Sequence, residues 1–370
     1  MRTTHFPALS TPGSGVLHSD SGSPETSALL TVSGLRVEYR TDEGVTTAVG
    51  DVGFSMRAGE RIAIVGESGS GKTATCLAIA GFLTHPAVSV AGSVTFSGKE
   101  FEIADRPRLP PRVPGIAMIF QDAMTSLDPL WTVGSQLGAV LRNTGGIRGT
   151  KARALSSQWL QRVGIDDVDR VLKSRPGELS GGMRQRVMIA LALAGGPKLV
   201  IADEPTSALD AVLARNAMEL LVRLTTEEGI GLIIVSHDIH LCQRFCDRIL
   251  VMYGGSLVEA GNAEVLSHRS RHPYTQGLLQ SVPTLAKALE DDRLPTIPES
   301  PTGDRFSLTG CVFQNRCPLR IDKCSSPPPM ASIGANHDSA CWRAIPGTPE
   351  FIEMQAAPDG TGLTIPGGLD

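Results

Sequence analysis

Apolar positions along this chain recur with two different periods, and the switches between them mark its elements. Leu29 to Tyr39 and Val45 to Met56 are rich in Val, Leu and Thr and flank a polar turn at Asp42, Glu43 and Gly44, which predicts two strands paired antiparallel. Arg61 to Val65 is a short apolar run followed by a glycine loop. Thr73 to Phe82 then carries Cys76, Ile79 and Ala80 at helical spacing, giving strand, loop and helix. Ser93 to Gly98 and Gly115 to Phe120 read as two more short strands, separated by a stretch holding Pro107, Pro110, Pro111 and Pro114.

From Asp122 to Pro176 the strand pattern is lost, and Val133 to Leu141 and Lys151 to Val163 read as helices inserted into the core. The core resumes with strand Leu199 to Ala202, helix Ala208 to Glu227, strand Gly231 to Ser236, helix Ile239 to Phe245 and strand Arg248 to Tyr253. Alternation of this kind predicts an α/β fold built on a parallel sheet. Past Ser281 the text becomes Pro-punctuated and weakly periodic. The expected organisation is a disordered leader (1–27), a main unit (28–281) with a helical subdomain at about 122–178, a C-terminal module (282–350) and a flexible tail (351–370).

Composition narrows the class. The 370 residues leave room for two or three compact units, and 41% apolar residues suffice for a large core. Against 34 Lys and Arg stand 38 Asp and Glu, a formal charge of -4, so nucleic acid is not the expected partner. No run reaches the ~20 apolar residues that span a bilayer. The leader is rich in Ser, Thr, Gly and Pro and lacks the apolar stretch of a secretory signal. Seven cysteines, an odd number, suit a reducing, cytoplasmic setting, with Cys76, Cys242 and Cys246 read as ordinary core.

The chemistry lies in four short stretches. Gly66-Glu67-Ser68-Gly69-Ser70-Gly71-Lys72-Thr73 fits the phosphate-loop pattern G-x-x-x-x-G-K-S/T and sits between a strand and a helix, as that pattern requires. Its glycines let backbone N–H groups converge on a phosphate, Lys72 neutralises β and γ oxygens, and the Thr73 hydroxyl suits Mg²⁺. Leu199 to Glu204 is an apolar strand ending in two acids. Asp203 is placed for the Mg²⁺ shell, and Glu204 for the water in line with the γ-phosphate. Leu179-Ser180-Gly181-Gly182-Met183-Arg184-Gln185 opens a further helix, with Ser180 as its cap and two glycines exposing N–H groups, a second anion-binding helix end. One nucleotide does not need two such cradles in one subunit, so the second is expected to serve a nucleotide held by another subunit.

With these elements the chain resembles the ATP-binding subunits of ABC transporters over about Leu29 to Ser281. The resemblance implies a P-loop cassette with an antiparallel β subdomain, a parallel-sheet core and an inserted helical subdomain. It implies that Gln121 senses Mg²⁺ and the γ-phosphate, and that Ser207-Ala208-Leu209-Asp210 crosses to the partner cassette. His237 is implied to contact the γ-phosphate and help to hold the attacking water, and Tyr39 to stack on adenine, with Phe54 as a rival. ATP and Mg²⁺ are the implied ligands. The other class weighed is a soluble ATPase of this type acting on nucleic acid or the ribosome. A single cassette without heptads or a basic stripe argues against it.

Phe120 to Pro129, with its Gln-Asp-Ala-Met-Thr-Ser-Leu-Asp core, and His272-Pro273-Tyr274-Thr275 resemble the oligopeptide/dipeptide (peptide/nickel) importer branch, with Ala123 and Asp128 departing from the usual Pro and Asn. The branch implies a paralogous second cassette, two membrane permeases and, indirectly, a substrate-binding protein. It implies a place at the cytoplasmic face of the membrane and a permease contact near Thr125 to Trp131. Nickel or another small solute is the alternative cargo. Cys311, Cys317, Cys324 and Cys341 follow the branch's tail, with Arg316-Cys317-Pro318 and a triple-proline run. Their spacing alone leaves a metal centre and unliganded or disulfide-paired thiols equally open, and matches neither a standard ferredoxin nor a zinc ribbon. The resemblance implies a [4Fe-4S] cluster, with Zn²⁺ as the alternative.

Overall fold

The computed structural model describes residues 28–42, 44–83, 87–102, 113–121, 126–207, 210–281, 297, 309–352, 355–356 and 363–364. The expected leader, most of the expected tail, residues 122–125 and 208–209, and all but Pro114 of the four prolines named above lie outside them.

Two sheets carry the molecule. Strands β1 (Leu30–Thr41), β2 (Gly44–Met56), β4 (Val88–Phe96) and β5 (Lys99–Glu102) form an antiparallel sheet in the order β2-β1-β4-β5. The polar turn after Thr41 closes the β1–β2 hairpin, as the pattern predicts. β4 begins five residues earlier than its apolar text suggests, because Gly92 interrupts the alternation, and β5 is too polar to be read as a strand.

The second sheet has the order β11-β12-β10-β9-β3-β8-β7-β6. Its strands are β3 (Arg61–Val65), β6 (Ile116–Ile119), β7 (Leu199–Asp203), β8 (Gly231–Ser236), β9 (Arg248–Tyr253), β10 (Ser256–Asn262), β11 (Ala331–Gly334) and β12 (His337–Ser339). β9, β3, β8, β7 and β6 run parallel. β7, β8 and β9 are buried at every position, which is why they read as unbroken apolar runs.

The two faces of this sheet serve different partners. Ala63, Val65, Val200, Ala202, Ile234 and Val251 join a core shared with the helical subdomain. Their sequence neighbours Ile62, Ile64, Ile201, Val235, Leu250 and Met252 pack with β1, β2 and helix α1 (Lys72–Ala80). The period of two thus sorts side chains between two cores. In the stretch expected to be a helical subdomain lie α2 (Val133–Gly145), α3 (Gly149–Arg162) and α4 (Val168–Lys173), and α2 and α3 pack on α5 (Gly181–Ala194). Helices α6 (Ala211–Glu227), α7 (Ile239–Phe245), α8 (Ala263–Arg269) and α9 (Pro273–Gln280) complete the main unit. Cys76 and Cys242 are fully buried and Cys246 nearly so, as core cysteines should be.

The C-terminal module is joined to the main unit. Its hairpin β11–β12 adds to β10, with Gly261 opposite His337 and Glu259 opposite Ser339. Behind this seam Glu259, wholly buried, receives a hydrogen bond from the Arg271 amide (2.5 Å) and meets His337 Nε2 at 2.8 Å. His272, also buried, is pulled down to about 4 by desolvation and stays neutral, its Nδ1 accepting the Tyr274 amide. Among the described residues no helix is long and apolar enough to cross a membrane.

Candidate functional site

The parallel strands bring distant residues to one edge. β3 ends immediately before Gly66, β6 two residues before Gln121, β7 on Asp203 before Glu204, and β8 before His237. These are the carboxyl ends of adjacent strands where the strand order doubles back, the position at which open α/β sheets bind ligands.

The loop Gly66 to Thr73 is shaped by sterics. At Gly66 (φ +156°) a Cβ would lie 2.2 Å from the Met252 carbonyl oxygen, and at Gly71 (φ +96°) 2.4 Å from that of Ala48, so only glycine allows the loop to lie this close to β9 and β2. Ser68 and Gly69 are exposed at its tip. The Ser70 hydroxyl is buried and has no hydrogen-bond partner among the described residues, a polar atom available to a ligand oxygen. Lys72 Nζ donates to the carbonyls of Gly66 and Glu67, both at 2.8 Å, tying the loop into a ring at the start of α1. Burial pulls the Lys72 ammonium down, against Glu204 and Asp203 drawing it up.

Thr73 Oγ1 donates to Asp203 Oδ1 at 3.2 Å, so the hydroxyl and carboxylate expected around Mg²⁺ are neighbours. Burial raises the Asp203 pKa, while the Thr73 bond and Lys72 lower it. One carboxylate and one hydroxyl fit Mg²⁺, which prefers few protein ligands and completes its shell with substrate oxygens and water.

Glu204 lies at the centre of the residues expected to be catalytic. Gln121 Nε2 donates to its Oε2 at 3.4 Å, and His237 Nδ1 lies 3.5 Å from the same oxygen. The three expected catalytic residues therefore meet at one atom. Glu204 also has φ +44°, left-handed backbone that a glutamate adopts only under constraint. The constraint is visible: its N–H donates to Val235 O at 3.0 Å, and its carbonyl accepts the Ser207 amide and hydroxyl at 3.2 Å.

Ser180 caps α5, its hydroxyl accepting the Met183 amide at 3.3 Å, and lies exposed beside Gly181 at the helix start. Gly182 follows half-buried. Asp210 caps α6, accepting the amides of Val212 and Leu213. Gln185 requires a correction. Expected among the nucleotide contacts, it is buried and donates to the Pro205 carbonyl at 2.6 Å, so it braces the turn after Glu204 from within. Its position on the inward side of α5 decides this, and spacing from Ser180 alone does not reveal it. Phe54 is wholly buried and cannot stack on a base. Tyr39 is half-buried, opposite Thr46 on β2, two residues from the Ala48 that abuts Gly71.

All seven cysteines are free thiols. In the C-terminal module the Cys311 amide donates to the Cys324 carbonyl at 2.8 Å, and Cys317 and Cys341 are each pushed up to about 12, chiefly by burial and further by the charges of the other module cysteines. The four thus share one region. Among the described residues, however, no three His, Cys, Asp or Glu side chains stand close enough to hold a metal ion, so the expected metal site is not formed as the thiols stand. A tetrahedral Zn²⁺ at about 2.3 Å from each sulfur demands the tightest gathering of all.

One set of contacts has no signal in the sequence. The Glu67 amide donates to the Tyr274 hydroxyl at 2.7 Å, and the Glu67 carboxylate is gripped by Arg316 through Nη1–Oε2 (2.7 Å) and Nη2–Oε1 (2.9 Å). The partners are 207 and 249 residues away.

Comparison with known proteins agrees with this geometry. Residues 49–207 match the ABC transporter family, and residues 258–324 match the C-terminal region of oligopeptide/dipeptide transporters. A putative peptide import ATP-binding protein of Brucella melitensis is 42% identical over 323 residues, 87% of this chain and 97% of that one. The oligopeptide transport ATP-binding protein OppD of Escherichia coli is 42% identical over 322 residues, 87% of this chain and 95% of its own. Among solved structures, the dimeric post-hydrolysis state of the ATP-binding cassette MJ0796 bound to ADP and Pi superposes with a TM-score of 0.54 at 27% identity, covering 63% of this chain and 98% of that one. The cassette cbiO1 of Clostridium perfringens gives 0.53 at 29% identity, covering 66% and 92%. The lysine loop, the paired acids at the end of β7 and the serine-capped helix all lie within the matched residues 49–207, and the chain belongs to the ATP-binding subunits of the ABC transporter family, in its oligopeptide/dipeptide branch.

Proposed function

We propose that this chain hydrolyses ATP to drive import of oligopeptides or dipeptides, paired with a second, paralogous cassette beneath two membrane permeases that receive cargo from a binding protein. The carrying observation is the convergence of Gln121 and His237 on Glu204 Oε2, beside the Lys72 loop and the Thr73–Asp203 pair. The peptide reading is supported by the branch to which the chain belongs and by what its relatives are called.

In this reading Lys72 and the loop amides hold the phosphates, and Gly66 and Gly71 let the backbone approach them. Thr73, Asp203 and Gln121 would hold Mg²⁺, which supplies charge neutralisation on the β and γ oxygens. Glu204 takes the proton of the attacking water at Oε2, while His237 and Gln121 fix that oxygen's direction. Ser180, Gly181 and Gly182 close on the triphosphate of the partner cassette, with Asp210 at the crossing loop and Tyr39 against the adenine. Closure is favoured only while the triphosphate is present, so hydrolysis reopens the pair and moves the permeases.

The mechanical contact is assigned to residues 126–131. Leu130 and Trp131 are 76% and 50% exposed, yet their loop is rigidly braced. Gln136 Nε2 donates to the carbonyls of Asp128 (3.0 Å) and Trp131 (3.1 Å), and its Oε1 accepts the Asp128 amide. Apolar side chains on a loop fixed from beneath are what a membrane-subunit helix would press against. In vesicles containing the assembled transporter, Trp131→Ala is expected to reduce ATP-driven peptide uptake ~10-fold or more while nucleotide binding by the isolated chain is unchanged. Uptake at the normal rate would remove this contact from the pathway, and absence of peptide uptake by the unmodified transporter would reject the cargo.

We further propose that Cys311, Cys317, Cys324 and Cys341 carry a [4Fe-4S] cluster. This reading rests on the resemblance of the four-cysteine tail to that of the branch; among the described residues the thiols do not stand close enough together to hold a metal ion as they are. Anaerobically purified complex is expected to contain four iron and four sulfide per chain. One zinc and no iron would overturn the assignment.

A further inference from the structure

Every polar group of Glu67, the first residue after Gly66 in the phosphate loop, is engaged. Its carbonyl accepts Lys72 Nζ at 2.8 Å, its amide donates to the Tyr274 hydroxyl at 2.7 Å, and its carboxylate takes both arms of Arg316. Arg316 comes from the C-terminal module, and Tyr274 from α9 at the end of the main unit. Tyr274, from the His-Pro-Tyr-Thr stretch, is wholly buried. The Arg316 side chain is 5% exposed and also donates to the Tyr253 hydroxyl at 3.2 Å, its guanidinium 5.5 Å from that ring's centre. Phe313, from the same turn of the module, packs on Tyr253 and Tyr274 with ring centres 5.2 and 5.4 Å apart.

The turn that carries Arg316 is itself fixed. The Arg316 amide donates to Phe313 O at 3.0 Å, Gln314 N to Cys311 O at 3.0 Å, and Cys311 N to Cys324 O at 2.8 Å. A planar fork on a braced turn holds a carboxylate in one orientation, which an ammonium on a flexible stem does not. The charge matters as much as the direction. Glu67 brings an anion into a loop whose task is to bind an anion, and an unpaired carboxylate there would repel the triphosphate.

We propose that Arg316 is a positioning residue for nucleotide binding: through Glu67 the C-terminal module neutralises and orients the phosphate loop, so the module and the nucleotide site are energetically coupled. The proposal rests on the ATP-binding reading alone and is independent of the transported cargo. Coupling is reciprocal, so nucleotide must stabilise the module to the extent that the module favours nucleotide.

The test uses the assembled transporter with Arg316→Gln, Arg316→Lys, Glu67→Gln and the double variant Glu67→Gln/Arg316→Gln. The measurements are KM and kcat for ATP, and amide hydrogen exchange over residues 311–324 with and without a non-hydrolysable ATP analogue. Arg316→Gln is expected to raise KM about tenfold, within the usual range for coupled sites, with kcat changed less than about twofold. Arg316→Lys recovers part of the loss. In the double variant the repelling charge is gone, so its KM falls below that of Arg316→Gln. The analogue slows exchange over 311–324 in the unmodified protein, and Glu67→Gln diminishes that protection. Should Arg316→Gln fail to assemble, Glu67→Gln leaves the module intact and its exchange pattern decides alone. Unchanged KM in Arg316→Gln, strictly additive effects in the double variant, or protection that survives Glu67→Gln would overturn the proposal. Failure of the unmodified complex to bind the analogue would instead refute the ATP-binding reading.

Discussion

Glu204→Gln is expected to lower steady-state ATP hydrolysis by the assembled transporter by about 10²–10⁴, the contribution of a general base, while nucleotide affinity stays near its normal value. The substitution preserves size and the amide can still meet Gln121 and His237, whose contacts to Glu204 Oε2 are 3.4 and 3.5 Å. What is lost is the capacity to accept a proton at that oxygen. The backbone supports this choice of residue over Asp203. Asp203 is bonded to Thr73, whereas Glu204 is held at φ +44° by Val235 and Ser207, a strained geometry maintained by its surroundings. Rate and affinity are separable by steady-state turnover alongside equilibrium binding. Normal turnover in the Gln variant would place the base elsewhere.

Ser180→Asp is expected to reduce hydrolysis by the complex on the order of 10²-fold while the isolated chain binds ATP normally. Aspartate is as good a helix cap as serine, so the amide of Met183, now bonded to the Ser180 hydroxyl at 3.3 Å, keeps its acceptor and α5 keeps its start. The new charge acts only on an anion presented to this exposed helix end. Ser180→Asn, an uncharged cap, is the control and should retain most of the activity. Equal loss in both variants would mean that the helix start was damaged, and normal hydrolysis in the Asp variant would show that no triphosphate approaches Ser180.

The parts of this molecule that were legible in its sequence share a physical reason. The phosphate loop, the acids after β7 and the cap of α5 are contiguous stretches whose conformation is set within a few residues, so glycine, lysine and serine at fixed spacing report it directly. The buried parallel strands were legible because burial on both faces leaves only apolar text. By contrast, β9 is legible to its last residue but β10 after the Gly254-Gly255 turn is not, because Ser256, Glu259, Gly261 and Asn262 break up its apolar text. β5, β11 and β12 are short and polar, and pairing alone makes them strands. Which residues of α5 face inward depends on the elements that surround it, so spacing from Ser180 does not reveal that Gln185 belongs to the interior. Arg316 lay in view beside Cys317 as part of a family signature, but its grip on Glu67 depends on how the chain returns across the sheet.

That return also has a consequence for synthesis. β12 covers the outer side of β10, pairing His337 with Gly261, and the two are 76 positions apart (337 − 261). At about 5–20 residues per second, a ribosome needs roughly 4–15 s to supply the missing neighbour after β10 has emerged. During that interval the edge of β10 offers unpaired amides and carbonyls to any nascent chain nearby. The last fifth of the polypeptide therefore sets how long the newborn subunit stays adhesive, a kinetic vulnerability absent from the finished molecule.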